Sequence, residues 1–255
     1  MKNASFLALM LMPLGFSSSA FAQQALADGA ANAGTASAWQ VAFNAGAQSD
    51  YVFRGISQTN GHISGFAGAD VTYQKDWYVG TWTSNVDFSP SGDSHTSQEY
   101  DLYGGWRPTL AGINVDLGYI YYGYRHQPQD IRQSYAEGYL RGAHAFGQLT
   151  LGGMAAYSPK FPGIAKDALY VEANIAYAIS SALSATAAWG HQYESDATQL
   201  ANRSRQDFNY TTWNAGISYA INAHTLLDLR YWDTNQHAAG DIYQSRAVVA
   251  IKATF

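Results

Sequence analysis

The chain has 255 residues, 14 Lys and Arg against 19 Asp and Glu, a formal net charge of -5 and no cysteine. That balance excludes a basic nucleic-acid binder, and the lack of thiols removes disulfides, thiol catalysis and cysteine-type zinc sites. Aromatic residues reach 15% while charged residues stay at 13%, with 24 Gly; this suits the girdles and curved strands of a membrane barrel better than the Lys- and Glu-rich surface of a soluble exported domain.

Residues 1–22 combine Lys2, an apolar run from Phe6 to Phe16, the serines Ser17, Ser18 and Ser19, and Ala20-Phe21-Ala22. This is the build of a secretory signal peptide with an A-x-A cleavage site, so the mature chain is expected to begin at Gln23. Losing Lys2 takes the formal charge from -5 to -6. An anchor helix is the competing reading, but the apolar run is only about half of the roughly 20 residues that span a bilayer. No lipobox cysteine follows. Beyond the signal no apolar stretch has the length of a membrane helix, which leaves a periplasmic, secreted or outer-membrane protein. Residues 23–37 are small and polar without a period and read as a flexible periplasmic lead-in.

From Trp39 the pattern becomes an alternation of two faces, the mark of strands. Twelve are predicted: about 38–49, 62–74, 77–87, 97–107, 112–124, 134–145, 147–157, 167–178, 182–193, 207–220, 223–234 and 242–255. Short connections, among them Lys75-Asp76, a turn at Phe146, Ser180-Ser181 and Ile221-Asn222, alternate with longer ones near 50–61, 88–96, 125–133, 158–166, 194–206 and 235–241. Tight turns on one side and long loops on the other are the asymmetry of an outer-membrane β-barrel. The fold class is therefore an all-β, antiparallel transmembrane barrel over 38–255, with an even strand count placing both termini in the periplasm. A soluble sandwich or lipocalin-like barrel would turn its apolar face inward and would not gather aromatics at strand ends.

Parity assigns the two faces. In the last segment Phe255, Ala253, Ile251, Val249 and Ala247 form an apolar face, and the terminal Phe255 resembles the closing strand that barrel-assembly machinery recognises. In the fifth strand Val115, Leu117, Tyr119 and Tyr121 should meet lipid; in the eighth, Leu169, Val171, Ala173, Ile175 and Tyr177; in the eleventh, Leu227, Leu229 and Tyr231. An Arg facing mid-bilayer lipid costs about 2–4 kcal/mol, so Arg141 and Arg230 nearly fix the parity of their strands. The inward acids are then Asp70, Glu99, Asp101, Asp116, Glu137, Glu172 and Asp228, and the inward bases Arg107, Arg141, Arg230, Arg246 and Lys252. Read as pore-lining groups, with the acids on strands four to eight and Arg230, Arg246 and Lys252 beside the first strand, they would set a transverse field that screens small polar solutes. Alternatively they are salt bridges that fill a narrow barrel, for example Asp228 with Arg246 on the neighbouring strand. Tyr122 and Tyr124, also inward, offer faces for stacking.

The segment Ser49-Asp50-Tyr51-Val52-Phe53-Arg54-Gly55-Ile56-Ser57-Gln58-Thr59 resembles the N-terminal hallmark of the TorF-type porin family, also known as the Gcw_chp family of exported proteins. The resemblance extends over the mature chain in length, aromatic strands and terminal Phe. It implies an outer-membrane barrel of porin type and brings no substrate, catalytic or ligand residues. Physically, Asp50 and Arg54 are expected to pair across the turn while Gly55 supplies backbone freedom. The segment is either a loop that narrows the mouth or a rim or assembly element, and the second is preferred.

Enzyme readings are weak. His95-Thr96-Ser97 lies at a height where a barrel lipid hydrolase could place a His-x-Ser pair, but no orienting partner is identifiable. The other histidines lack metal-ligand spacing. No cofactor and no metal are implied. The expected partners are outer-membrane lipid, the assembly machinery and small hydrophilic solutes; a homo-oligomer is compatible with such a barrel. The resulting expectation is a passive outer-membrane channel, with a non-conducting structural or adhesive barrel as the alternative.

Overall fold

A computed structural model describes residues 37–129, 132–162, 166–198 and 205–255. The expected signal peptide, 1–22, and nearly all of the expected lead-in, 23–37, lie outside these residues. Twelve long strands follow in chain order: β1 Trp39–Gln48, β2 Ser64–Tyr73, β3 Trp77–Asn85, β4 Gln98–Trp106, β5 Ile113–Arg125, β6 Tyr135–Phe146, β7 Leu149–Ser158, β8 Ala168–Ala178, β9 Leu183–Thr198, β10 Arg205–Ala220, β11 Thr225–Thr234 and β12 Arg246–Thr254. Each pairs antiparallel with its sequence neighbours, and β12 returns to β1, with Ala45 opposite Ala253 and Ala47 opposite Ile251. Phe255 completes the seam by exchanging backbone hydrogen bonds with Phe43. Closure leaves no sheet edge, the condition for a β-structure to cross a bilayer, where an unpaired backbone group has no water to bind. Among the described residues no helix is long and apolar enough to cross a membrane.

The two faces separate by polarity. Trp39, Val41 and Phe43 on β1, Leu117 and Tyr119 on β5, Leu229 and Tyr231 on β11 and Val249 and Ile251 on β12 are exposed on the outside. Their in-between neighbours Asn44, Tyr122, Asp228, Arg230, Val248 and Lys252 are buried inside. An apolar exterior around a charged interior inverts the globular pattern and fits lipid as the outer solvent.

Three boundaries differ from the alternation alone. Strand β12 begins at Arg246 rather than 242, because Asp241–Tyr243 close into a short 3-10 turn. The β6–β7 turn is Gly147-Gln148 rather than Phe146: Phe146 pairs with Leu149, and Gly147 takes a left-handed φ of 66° that a two-residue hairpin needs and glycine supplies without strain. Strand β9 runs to Thr198 rather than 193, with an irregularity in its pairing to β10 between Glu194 and Ala197.

Candidate functional site: the barrel interior and its first loop

The connection between β1 and β2 is the feature that shapes the interior. Val52–Phe53 and Ile56–Ser57 form a miniature hairpin whose two-residue turn is Arg54-Gly55. Both turn residues have positive φ, 49° at Arg54 and 83° at Gly55. Gly55 adopts this freely, whereas a non-glycine residue there is held by its surroundings. The hairpin folds into the barrel rather than lying on the rim, which overturns the rim reading: Tyr51, Val52, Arg54 and Ser57 are all buried.

Its side chains reach strands around most of the wall. Tyr51 Oη donates to Glu99 on β4 at 2.9 Å, and its ring meets Trp82 on β3 edge-on. Val52 packs with Trp232 and Val248 on β11 and β12. Phe53 meets Tyr122 on β5 edge-on. Gly55 lies so close to Thr212 on β10 and Thr234 on β11 that an added Cβ would collide with both side chains. Here glycine is required for space as well as for φ.

Asp50 and Arg54 do not pair with each other, contrary to expectation. The turn carries Arg54 away, and Asp50 stays at the loop base, accepting from Ser57 Oγ at 2.6 Å, Thr59 Oγ1 at 2.9 Å and Arg246 Nη1 on β12 at 2.7 Å. Arg54 makes a forked pair with Glu137 on β6, Nη1 to Oε1 at 2.8 Å and Nη2 to Oε2 at 2.7 Å. Its Nη1 also donates to Gln192 Oε1 on β9 at 3.1 Å, and the guanidinium lies 4.3 Å from the centre of the Tyr170 ring on β8. Tyr170 Oη in turn donates to Glu172.

The supposed Asp228–Arg246 bridge is also absent. Register explains it: Asp228 stands opposite Ala250 and Arg246 opposite Trp232, several residues apart along the barrel. Asp228 instead binds Arg230, which also donates to Asn214 on β10 at 2.7 Å and Thr186 on β9 at 2.9 Å, while Ser218 donates to the same carboxylate. The expected basic wall is accordingly broken up. Arg230 has Asp228, Arg246 has Asp50, and Arg54 lies against β6, β8 and β9 rather than beside β12. Such local pairing leaves little long-range transverse field.

Nearer the short-turn end, Asp116 faces Arg141 across the β5–β6 register at 4.0 Å and accepts from Tyr78 Oη at 2.6 Å. Tyr78 also contacts Tyr139 through their hydroxyls, and Arg107 lies over the Tyr78 ring and donates to Thr72. Asp70 accepts from Tyr103 at 2.8 Å. Two strands away on β12, Lys252 is buried and its charge interacts with that of Asp70. Asp101 is buried next to Glu99 on β4, and its Oδ1 has no hydrogen-bond partner among the described residues.

The inward tyrosines have used their faces: Tyr122 stacks on Tyr135 with centroids 4.4 Å apart, and Tyr124 packs against Phe88. Ser97 finds a histidine, but it is His126 at 3.0 Å on the neighbouring strand end rather than His95. Among the described residues nothing hydrogen-bonds the other nitrogen of His126, so the pair lacks an orienting third group. Sequence reasoning missed Gln192 and Tyr170 as partners of Arg54, and Glu194, assigned to a loop, whose partly buried place on β9 continues the inward parity of Gln192. Extending the alternation of β9 by one residue would have found the last.

A closed twelve-strand barrel with an apolar outside and charged inside has the fold of outer-membrane porins. Two solved porins share it: a KdgM porin determined in complex with disordered oligogalacturonate, 10% identical over 84% of this chain and 98% of that chain with a TM-score of 0.53, and NanC porin, 10% identical over 85% and 99% with a TM-score of 0.54. By sequence the chain belongs to the Gcw_chp family, described as bacterial protein of unknown function, whose family profile matches residues 32–255. No curated protein matches it in sequence.

Proposed function

We propose that the protein is a porin-like channel of the Gram-negative outer membrane that passes small hydrophilic solutes by diffusion, as the resemblance to TorF-type porins implies. Its termini would face the periplasm and its long loops the outside. The observation that carries this reading is the inversion of polarity: Asp70, Glu99, Asp101, Glu137 and Glu172 all face the interior, where each charge costs desolvation. Charged interiors are retained in barrels that conduct water and solutes. The inward groups Asp101, Asp116, Glu137, Arg141, Glu172, Asp228, Arg230, Arg246 and Lys252 would line the path, with the Asp50-to-Gly55 loop as its constriction.

A second reading, a non-conducting barrel whose external loops are the working surface, draws support from the same loop, which crosses the interior and touches most of the wall. Planar-bilayer recording of refolded protein separates the two. Discrete conductance steps are expected; silence across the voltage range, from protein whose folding is shown by heat-modifiable migration, would remove the channel.

A further inference from the structure

The place that Arg54 occupies is built as a receptor. A carboxylate fork from Glu137, a neutral acceptor from Gln192 and the face of Tyr170 meet one planar cation from three strands. Forked carboxylate contacts fit a guanidinium by geometry as well as charge, and an aromatic face adds cation–π attraction. All three groups stand on barrel strands whose backbone ladders are independent of the loop. The cation alone comes from elsewhere, on the tip of a turn whose arginine holds a left-handed φ.

The surroundings add further carboxyl groups. Glu172 lies behind Tyr170, Glu194 follows Gln192 on β9, and Glu99 and Asp101 face inward from β4, the latter with an unpartnered oxygen. With Arg54 lifted out, this level of the barrel would present carboxylates and tyrosines around a fitted seat.

We infer that the Glu137–Tyr170–Gln192 seat is a recognition site for guanidinium-bearing solutes, and that Arg54 fills it as a tethered ligand, holding the first loop across the barrel until such a solute competes for the seat. This deepens the channel reading and rests on it for its transport meaning. Recognition itself is independent of conduction.

Two measurements keep these apart. Calorimetric titration of methylguanidinium into detergent-refolded Arg54→Ala should show saturable binding that weakens by about tenfold or more in Arg54→Ala with Glu137→Gln, while wild type, its seat filled, binds far more weakly. In planar bilayers Arg54→Ala should conduct several-fold more than wild type and prefer cations; millimolar methylguanidinium should block it saturably, and equal sodium should not. Binding to Arg54→Ala no tighter than to wild type, or unchanged by Glu137→Gln, would overturn the inference. Binding as expected from barrels that are all silent would leave the seat standing and sink the channel. Arg54→Gln, which keeps a polar turn tip, serves for the same titration if Arg54→Ala does not refold.

Discussion

Arg54 and Arg230 are both buried inside one barrel, and both are held by a carboxylate, but they are assembled in different ways. Arg230 and its acceptors Asp228, Asn214 and Thr186 all belong to the wall, on the three successive strands β9, β10 and β11. It cannot leave without unravelling the sheet. Arg54 reaches a comparable set of acceptors from the tip of a hairpin that shares no ladder with them. One arginine fastens strands together; the other fastens a loop to strands. Buried ion pairs are weak evidence for net stability, since desolvation offsets their attraction, so the difference lies in what each pair restrains.

Breaking the wall pair should produce the largest loss of stability. Arg230→Ala strands Asp228 inside the barrel and is expected to cost about 3–5 kcal/mol, read by urea unfolding in lipid vesicles, without raising conductance. Were it to raise conductance as is expected of Arg54→Ala, the distinction between the two arginines would fail. One residue away on the opposite face, Leu229→Arg places the same guanidinium in lipid and should cost about 2–4 kcal/mol near the bilayer midplane, in the same assay. A negligible cost would mean that this face of β11 does not meet lipid.

Asp50→Asn acts at the base of the first loop, where it weakens the contacts with Arg246, Ser57 and Thr59. A loss of about 1–3 kcal/mol is expected for a charge-assisted bond, together with noisier current as the loop loosens. Steady current with full stability would mean that Asp50 does not hold the loop in place.

The smallest effect belongs to the long loop after β3. Burial works against the ionised form of Asp93, but hydrogen bonds from Thr96, His95 and Gln133 outweigh it and hold its pKa below the usual carboxylate value. A depressed pKa stabilises above the unfolded value and loses that contribution as pH falls through the folded one. The amides of His95 and Thr96 should thus lose protection at a pH below about 4, and Asp93→Asn should remove that dependence while leaving the barrel and Arg54 undisturbed.

The strands were legible in the sequence because alternation in lipid is strict: Leu229 and Arg230 cannot exchange faces without exposing a charge to hydrocarbon. The same rule reads inside from outside along each strand. It is silent on depth and on what crosses the lumen. Asp228 and Arg246 share a neighbouring pair of strands, yet register separates them along the barrel. Glu137 lies 83 residues from Arg54 and Gln192 lies 138 away, and no periodicity relates residues on opposite walls. The motif around Arg54-Gly55 was visible as a turn; its destination depended on Thr212 and Thr234 leaving room for a glycine and nothing larger.

The central claim, that the first loop lies inside the barrel against the far wall, is tested most directly by cross-linking, for which a chain without cysteine is well suited. Phe53→Cys with Tyr122→Cys should be bridged by a short bifunctional thiol reagent in the folded barrel, seen as a mobility change, while Phe53→Cys with the outward-facing Tyr119→Cys should not. A folded barrel in which the first pair stays unlinked, or links no better than the second, would contradict the account.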